Sequence, residues 1–469
     1  MNRMKKLCGG LLIFTAAATL AGFIYHDPMY LHNLKITVQR HPAQISETRP
    51  DLQATSAPNE PQMVLIYTKF MRHLPWPGLE NSQDFTQFKG QKCRETNCKL
   101  SYDKRDFTNS KVVIFHAYNM PSQKEMLGLQ QRRPKGQVWV YFTLENPIVT
   151  SYIAPHKNRR DLDNVFNWTM NYMRDSDIYH PYGFYLPLNR SEFTPPSRLN
   201  HAKGKTKLVV WTCSGHGRVV TERKLRVLYV RQLRKHISID VYGKSAIYFH
   251  QPSLEGKTCI KDKAYGTPDC RSLLQNYKFF LAFENMNCDD YITEKYWCTP
   301  LELGLVPVVM GGADYKALAI PGSYINVMDF PSIKKLAEYL LFLDQNDDEY
   351  NRYFEWKKYY KVGGCLRPQL DMSNNYPWMC SVCSAANNHS LARKTHGKIQ
   401  DFYNPDKRCA IQYSRLNEII SEAEEMALKE TLDKQAPRTS DPADTLDTTN
   451  MLAPGQTETG QKKGNRKKQ

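Results

Sequence analysis

Seven short runs of β-branched and aromatic residues constrain this chain more than any other feature. Residues 64–67, 112–115 and 138–142 form a first set; after a polar stretch near 200–206 come 208–212, 237–242, 279–283 and 306–310. Most are apolar throughout rather than alternating, as strands buried on both faces are. Helical segments separate them. Within 219–236, Leu225, Leu228, Tyr229 and Leu233 fall on one helical stripe, with Arg226 one position off it. Strand and helix alternating twice, with a break between, predict two α/β halves with parallel sheets. Ligands are then expected at the carboxyl ends of the strands, in the cleft between the halves.

The ends of the chain speak to compartment. Arg3, Lys5 and Lys6 precede 19 uncharged residues, 7–25. As a helix these would span ~28 Å, enough to cross a hydrocarbon core, and the leading cations predict that the rest faces the lumen. A cleaved signal peptide is the competing reading, because Ala16, Ala17 and Ala18 offer small residues near a cleavage position. Either directs the chain into the secretory pathway, and the sequons at Asn167, Asn189 and Asn388 agree. The expected order is a cytosolic tail 1–6, an anchor 7–25, a Pro-dotted stem 26–62, two folded halves at 63–200 and 201–425, and a disordered basic-ended tail 426–469. Lys and Arg number 64 against 47 acidic residues, a net charge of +17 that suggests an anionic partner. The apolar span, the sequons and the lack of a nucleic-acid motif argue against nucleic acid.

The segment 277–295 is the richest in chemistry. A strand ends in Glu284-Asn285, where the sheet opens; Asp289 and Asp290 are expected to start a helix. Tyr291, Glu294 and Lys295, at i, i+3 and i+4, would then share its first face. A carboxylate for ribose hydroxyls, an ammonium and a helix N-terminus for phosphate make a seat for a sugar nucleotide diphosphate. A solvated Glu–Lys helix start is the bland alternative.

Phe283-Glu284-Asn285, six residues, then Ile292-Thr293-Glu294-Lys295 resembles the donor-binding signature of the α1,3-fucosyltransferases, glycosyltransferase family 10. Further motifs in the family's order include Phe166-Asn167-Trp168, Pro181-Tyr182-Gly183, Lys207 to Trp211, Ile239 to Lys244, and Val306 to Gly311. The resemblance implies a GT-B fold, two Rossmann-like domains with the acceptor side first and the GDP-fucose side second. It implies a Golgi type II enzyme transferring L-fucose from GDP-β-L-fucose, with inversion, to a GlcNAc residue of a glycan. A catalytically silent relative that binds glycans or GDP-sugar is the alternative. Lys295 and Arg226 would hold the diphosphate, with Ser214, Asn285, Tyr291 and Glu294 as further donor contacts. Glu145 matches the glutamate of the family's Glu-Ser-Pro, taken as general base, with Asn146 here replacing Ser. His116 is the acceptor-side candidate. The chain departs further from the pattern at Tyr67-Thr68, at Cys213-Ser214-Gly215 and at Phe280, where many relatives have Tyr.

No cofactor is expected. Asp175-Ser176-Asp177 resembles a D-x-D metal site, but salt bridging to Arg174 or a neighbour is the preferred reading, and a divalent metal is expected at most to stimulate. Beyond residue 25 there are eleven cysteines. Cys93/Cys98 and Cys380/Cys383 resemble zinc pairs by spacing; in an oxidising lumen disulfides are the better reading, also for Cys259, Cys270, Cys288, Cys365 and Cys409. The odd count leaves a free thiol, with Cys213 or Cys298 as the spare. The stretch Cys259 to Cys270 and the pair Asn287-Cys288 look more like invertebrate family members. The acceptor, N-acetyllactosamine of the Lewis type or the N-glycan core, is left open, as is oligomeric state.

Overall fold

The computed structural model describes residues 60–79, 93, 95–153, 162–188, 199–213, 221–251, 268–365, 378–387, 395–409 and 415–425. The expected anchor, the tail and the stem up to residue 59 lie outside them, as do Asn189, Ser214, Cys259 and Asn388; the last expected stem residue, Gln62, already belongs to the first strand. Among the described residues no helix is long and apolar enough to cross a membrane.

Two parallel sheets carry the fold. The first contains β1 (Gln62–Ile66), β2 (Cys98–Ser101), β3 (Val112–His116), β4 (Val138–Phe142), β5 (Trp168–Asn171) and β6 (Ile178–Tyr179), in the order β2-β1-β3-β4-β5-β6. A two-stranded antiparallel ribbon pairs β7 (Gly183–Pro187) with β13 (Tyr360–Cys365). The second sheet contains β8 (Lys207–Thr212), β9 (Ile239–Tyr242), β10 (Tyr277–Phe283), β11 (Val306–Met310) and β12 (Ile325–Asn326), in the order β12-β11-β10-β8-β9. Counted within its own half, the second order repeats the first: strand one lies between two and three. Such winding leaves a switch point in each sheet, between β1 and β3 and between β8 and β10, where ligands bind beyond the carboxyl ends.

Why the apolar runs become these strands is visible in their burial. Every residue of β3, β4, β10 and β11 is buried, as a parallel strand covered on both faces must be. All seven expected runs coincide with strands, β9 starting two residues later than expected. The short strands β2, β5, β6 and β12 had no comparable apolar run. Helices cover the faces: α1 (Gln123–Gln131), α2 (Pro147–Ile153), α3 (Thr221–Leu233), α4 (Glu294–Trp297), α5 (Ile333–Gln345) and α6 (Trp378–Asn387). In α5 the buried residues Ile333, Leu336, Ala337, Leu340 and Leu343 form one stripe, each large side chain stabilising by about 2 kcal/mol.

After the second sheet the chain crosses back. Cys93 bonds Cys380, and Cys98 bonds Cys383, fastening α6 beside the first sheet. The zinc-like spacing of Cys380 and Cys383 is thus i, i+3 on one helical face. Cys288–Cys409 and Cys298–Cys365 are also bridged, Cys270 is disulfide-bonded, and Cys213 is a buried free thiol. Cys298 is therefore not a spare: α4 ends where β13 passes, and the bridge ties the two together.

Candidate active site

The loop after β4 carries Glu145, and the end of β10 meets it. Glu145 Oε2 lies 3.3 Å from Asn146 Nδ2, 3.4 Å from Asn285 Nδ2 and 3.5 Å from Tyr291 Oη. Asn146 Nδ2 also lies 3.2 Å from Asn285 Oδ1. The carboxyl ends of the two sheets thus face each other here. Two phenols brace the loop's backbone: Tyr182 donates to the Leu144 carbonyl at 2.8 Å, and Tyr403 donates to the Glu145 carbonyl. Burial raises the phenol pKa values of Tyr172, Tyr182 and Tyr291 well above the ordinary range, so they stay neutral donors. The brace from Tyr403 arrives from more than 250 residues away, with no local signal in the sequence.

Asn285 and Tyr291 were expected on the donor side; both contact Glu145. The helix explains the change for Tyr291. Thr293 rather than Asp289 or Asp290 is the N-cap, its hydroxyl accepting from the Lys295 N–H, and α4 begins only at Glu294. Asp290 instead adopts φ 54°, and its carboxylate pairs with Arg174 at 2.9 Å. Tyr291 precedes the helix and is buried against Tyr172 and Tyr182. With four residues, α4 also has too few aligned peptides for the helix dipole invoked from sequence.

Glu294 and Lys295 do lie together. Lys295 Nζ reaches Thr293 Oγ1 at 2.8 Å, Glu294 Oε1 at 3.0 Å and Glu284 Oε2 at 3.3 Å. Burial alone would lower the ammonium pKa, but the two carboxylates outweigh it and hold it above its ordinary value. Glu284 is fully buried and accepts from the N–H and hydroxyl of Thr293 at 2.8 and 3.0 Å. Burial pushes its carboxyl pKa up, against the pull of Lys295. Sequence reasoning placed Glu284 at the cleft without seeing that it anchors the lysine.

Arg226 sits on the buried face of α3. That face comprises Arg226, Tyr229, Val230 and Leu233, one position round from the stripe expected, and Leu225 and Leu228 are half-buried. Arg226 is 8% exposed; its guanidinium donates to the Phe283 carbonyl at 3.1 Å, while its Nε has no hydrogen-bond partner. Among the described residues it has no ion pair, and its charge acts on Lys295. Burying a guanidinium without a carboxylate is costly, and an unsatisfied donor adds to the cost. Its spare donor leaves the guanidinium with hydrogen-bonding capacity that the described residues do not use.

His116, at the end of β3, is buried among Phe70, Tyr118 and Phe142; its Nδ1 lies 3.2 Å from Asn119 Oδ1, and burial lowers its pKa to about 4. Asp175 pairs with Arg408 at 2.6 Å, and Asp177 accepts from Thr169 and lies 2.8 Å from His396 Nε2, so neither pairs with Arg174. A cleft of about 490 Å³ is lined by Arg174, Asp175, Asp289, Asp290, Gly312, Asp314 and Arg408; its charges pair largely with one another, and none of Glu145, Arg226 and Lys295 lines it. Asn167 does not fit the sequon reading. It is 7% exposed, its Oδ1 accepts from the Trp139 N–H and from Arg133, and its Nδ2 donates to Thr395. A glycan on that nitrogen would displace the network. Phe280 is buried within β10, so its missing hydroxyl concerns the core.

The family description "Fucosyltransferase, N-terminal" matches residues 59–183, and "Glycosyltransferase family 10 (fucosyltransferase) C-term" matches residues 202–402. The 3-galactosyl-N-acetylglucosaminide 4-alpha-L-fucosyltransferase FUT3 of Bos taurus is 33% identical over 354 residues, 73% of this chain and 82% of its own length. The 4-galactosyl-N-acetylglucosaminide 3-alpha-L-fucosyltransferase FUT6 of Pan troglodytes is 32% identical over 342 residues, 72% and 80% of the two chains. A crystal structure of an alpha1,3-fucosyltransferase aligns over 73% of this chain and 95% of its own at 13% identity, with a TM-score of 0.44, too loose a likeness to carry an argument. The chain belongs to glycosyltransferase family 10, the fucosyltransferases. It is a glycosyltransferase enzyme.

Proposed function

We propose that this chain is a type II Golgi membrane α1,3-fucosyltransferase. It transfers L-fucose from GDP-β-L-fucose, with inversion, to a GlcNAc residue of a glycoprotein or glycolipid glycan. The observation that carries the reading is the buried Arg226, without a carboxylate partner among the described residues and electrostatically coupled to Lys295 beside the switch point of the second sheet. Those two cations suit the diphosphate. The relatives' names include both 3- and 4-linked products. The α1,3 assignment therefore rests on the sequence motifs, and the membrane topology on residues 1–25.

In the transfer, Glu145 accepts the proton of the acceptor hydroxyl as its oxygen attacks the anomeric carbon of fucose. The bond from that carbon to the phosphate oxygen breaks, and its electron pair leaves on GDP, where Arg226 and Lys295 stabilise the charge. The second half is thus the donor side and the first the acceptor side. The test is fucosyl transfer by residues 60–469, secreted from a eukaryotic host, to an N-acetyllactosamine glycan and to a core-exposed N-glycan. Transfer to one identifies the acceptor class; transfer to neither, with GDP still bound, would leave a glycan- or nucleotide-binding relative. Glu145→Gln is expected to bind GDP normally and to lose transfer by at least about a hundredfold; retained transfer removes Glu145 from the role of base.

A further inference from the structure

The side-chain amides around Glu145 orient one another, and the orientation starts from a fixed point. Asn146 Oδ1 accepts from the Val149 backbone N–H at 2.9 Å, capping α2. A backbone N–H can only donate, so the atom facing it must be the amide oxygen. Asn146 Nδ2 therefore faces the cleft, with one hydrogen for Glu145 Oε2 at 3.3 Å and one for Asn285 Oδ1 at 3.2 Å. Asn285 is then oriented in turn, its Nδ2 facing the same Glu145 oxygen at 3.4 Å. Asn146 is fully buried and belongs to the first half, whereas Asn285 stands at the end of β10 in the second. The chain is closed: backbone N–H, first amide, second amide, carboxylate.

We propose that Asn146 and Asn285 form an amide tie across the cleft that aims and holds the Glu145 carboxylate for transfer. Both are positioning residues, and the proposal rests on the reading of Glu145 as the base. Residue 146 matters because this chain departs from the family's Glu-Ser-Pro there. A serine can keep the helix cap, but its hydroxyl offers one donor on a shorter side chain, against two hydrogens on the asparagine amide. The tie also links the two substrate sides: the donor half supplies Asn285 and Tyr291, so the base is fully set only with the halves in register. Distances of 3.2–3.4 Å leave room to tighten when substrates enter.

Two neutral donors on one carboxylate oxygen favour its charged form, so their loss has a readable consequence. Among the described residues, phenols face Glu145: Tyr118, Tyr172, Tyr182, Tyr291 and Tyr403, all raised by burial. They stay neutral across the working range, leaving the amides as the adjustable donors. The experiment measures kcat and the GDP-fucose KM against pH for the secreted enzyme, Asn146→Ser, Asn285→Ala and the double variant, with thermal melts alongside. Each single variant is expected to lower kcat roughly tenfold. Each should also move the acidic limb of the profile up by roughly half to one pH unit, with donor KM within about twofold. The double variant should cost less than the two single effects multiplied, because Asn146 both donates to Glu145 and orients Asn285. Folded single variants whose acidic limbs match the wild type overturn the tie; if Asn146→Ser does not fold, Asn285→Ala alone decides. Glu145→Gln is run in parallel. Retained transfer there removes the base reading itself, whereas lost transfer with unmoved limbs removes only the tie.

Discussion

Arg226 shows how much a single side chain can hide in a sequence. It stands among Arg223, Lys224, Arg231 and Arg234, and hydrophobic periodicity brings it only to within one position of the apolar stripe. In the folded chain it turns inward, toward β10, with one carbonyl bond and a spare donor, whereas Arg231 stays exposed. Arg226→Ala is expected to weaken GDP binding roughly 10- to 100-fold, the worth of one or two charge-assisted hydrogen bonds, while the protein stays folded. Calorimetric titration with GDP checks this, and unchanged affinity would remove Arg226 from the donor site. Asn167 teaches the reverse lesson. Its triplet matches a glycosylation motif, yet its amide stitches β4, the Arg133 side chain and Thr395 together. Asn167→Gln should leave glycan mass on the secreted protein unchanged and lower stability by about 1–3 kcal/mol. A loss of one endoglycosidase-sensitive gel shift would show the sequon is used after all.

At the scale of elements, the strands were the most legible part, because burial on both faces writes itself as unbroken β-branched and aromatic runs. Helix starts were less so. Asp289, Asp290 and Thr293 are all good caps, and which one serves depends on the pull of Arg174 on Asp290 and of Glu284 on Thr293. Both partners are distant in sequence or in another element. Gly243, closing the motif after β9, is a case where backbone alone decides: φ is +103°, and a Cβ would lie 2.3 Å from the Cys213 carbonyl oxygen. Gly243→Ala is expected to destabilise by at least about 2–3 kcal/mol, read as a lowered denaturant midpoint with little change in slope. A variant melting like wild type would mean the β8–β9 ends can separate without cost.

The whole molecule is held by connections that sequence order conceals. The Cys93–Cys380 and Cys98–Cys383 bridges close loops of 287 and 285 residues, tying the returning α6 to the first sheet. Replacing Cys98 and Cys383 together by Ser should cost about 2–5 kcal/mol in unfolding free energy. Two interior histidines set a pH response. Burial lowers His180 to about 3 and His116 to about 4, from an ordinary value of 6.5. The unfolded chain therefore binds protons that the folded chain refuses, and stability falls as pH drops below about 6.5, continuing toward about 4 for His116 and about 3 for His180. By pH 5 each histidine should cost about 2 kcal/mol. Melting temperatures between pH 7.5 and 5 read this, and a flat profile would mean that the histidines gain protons at no cost.

The sequence by itself determined that seven buried strands would alternate with helices in two halves, that the family motifs would lie along them in order, that Glu145 and Glu284 would stand near strand ends, and that Arg226 and Lys295 would lie on helices. Those are consequences of local composition and period, which a chain carries wherever it goes. Tertiary structure decided which partner each group meets: Asn285 and Tyr291 turned to Glu145, Asp290 to Arg174, Cys298 to Cys365, and Asn146 to both sides of the cleft. The reason is physical. Hydrogen bonds, ion pairs and disulfides are made between residues tens to hundreds of positions apart, and only the packed sheets bring their atoms within reach.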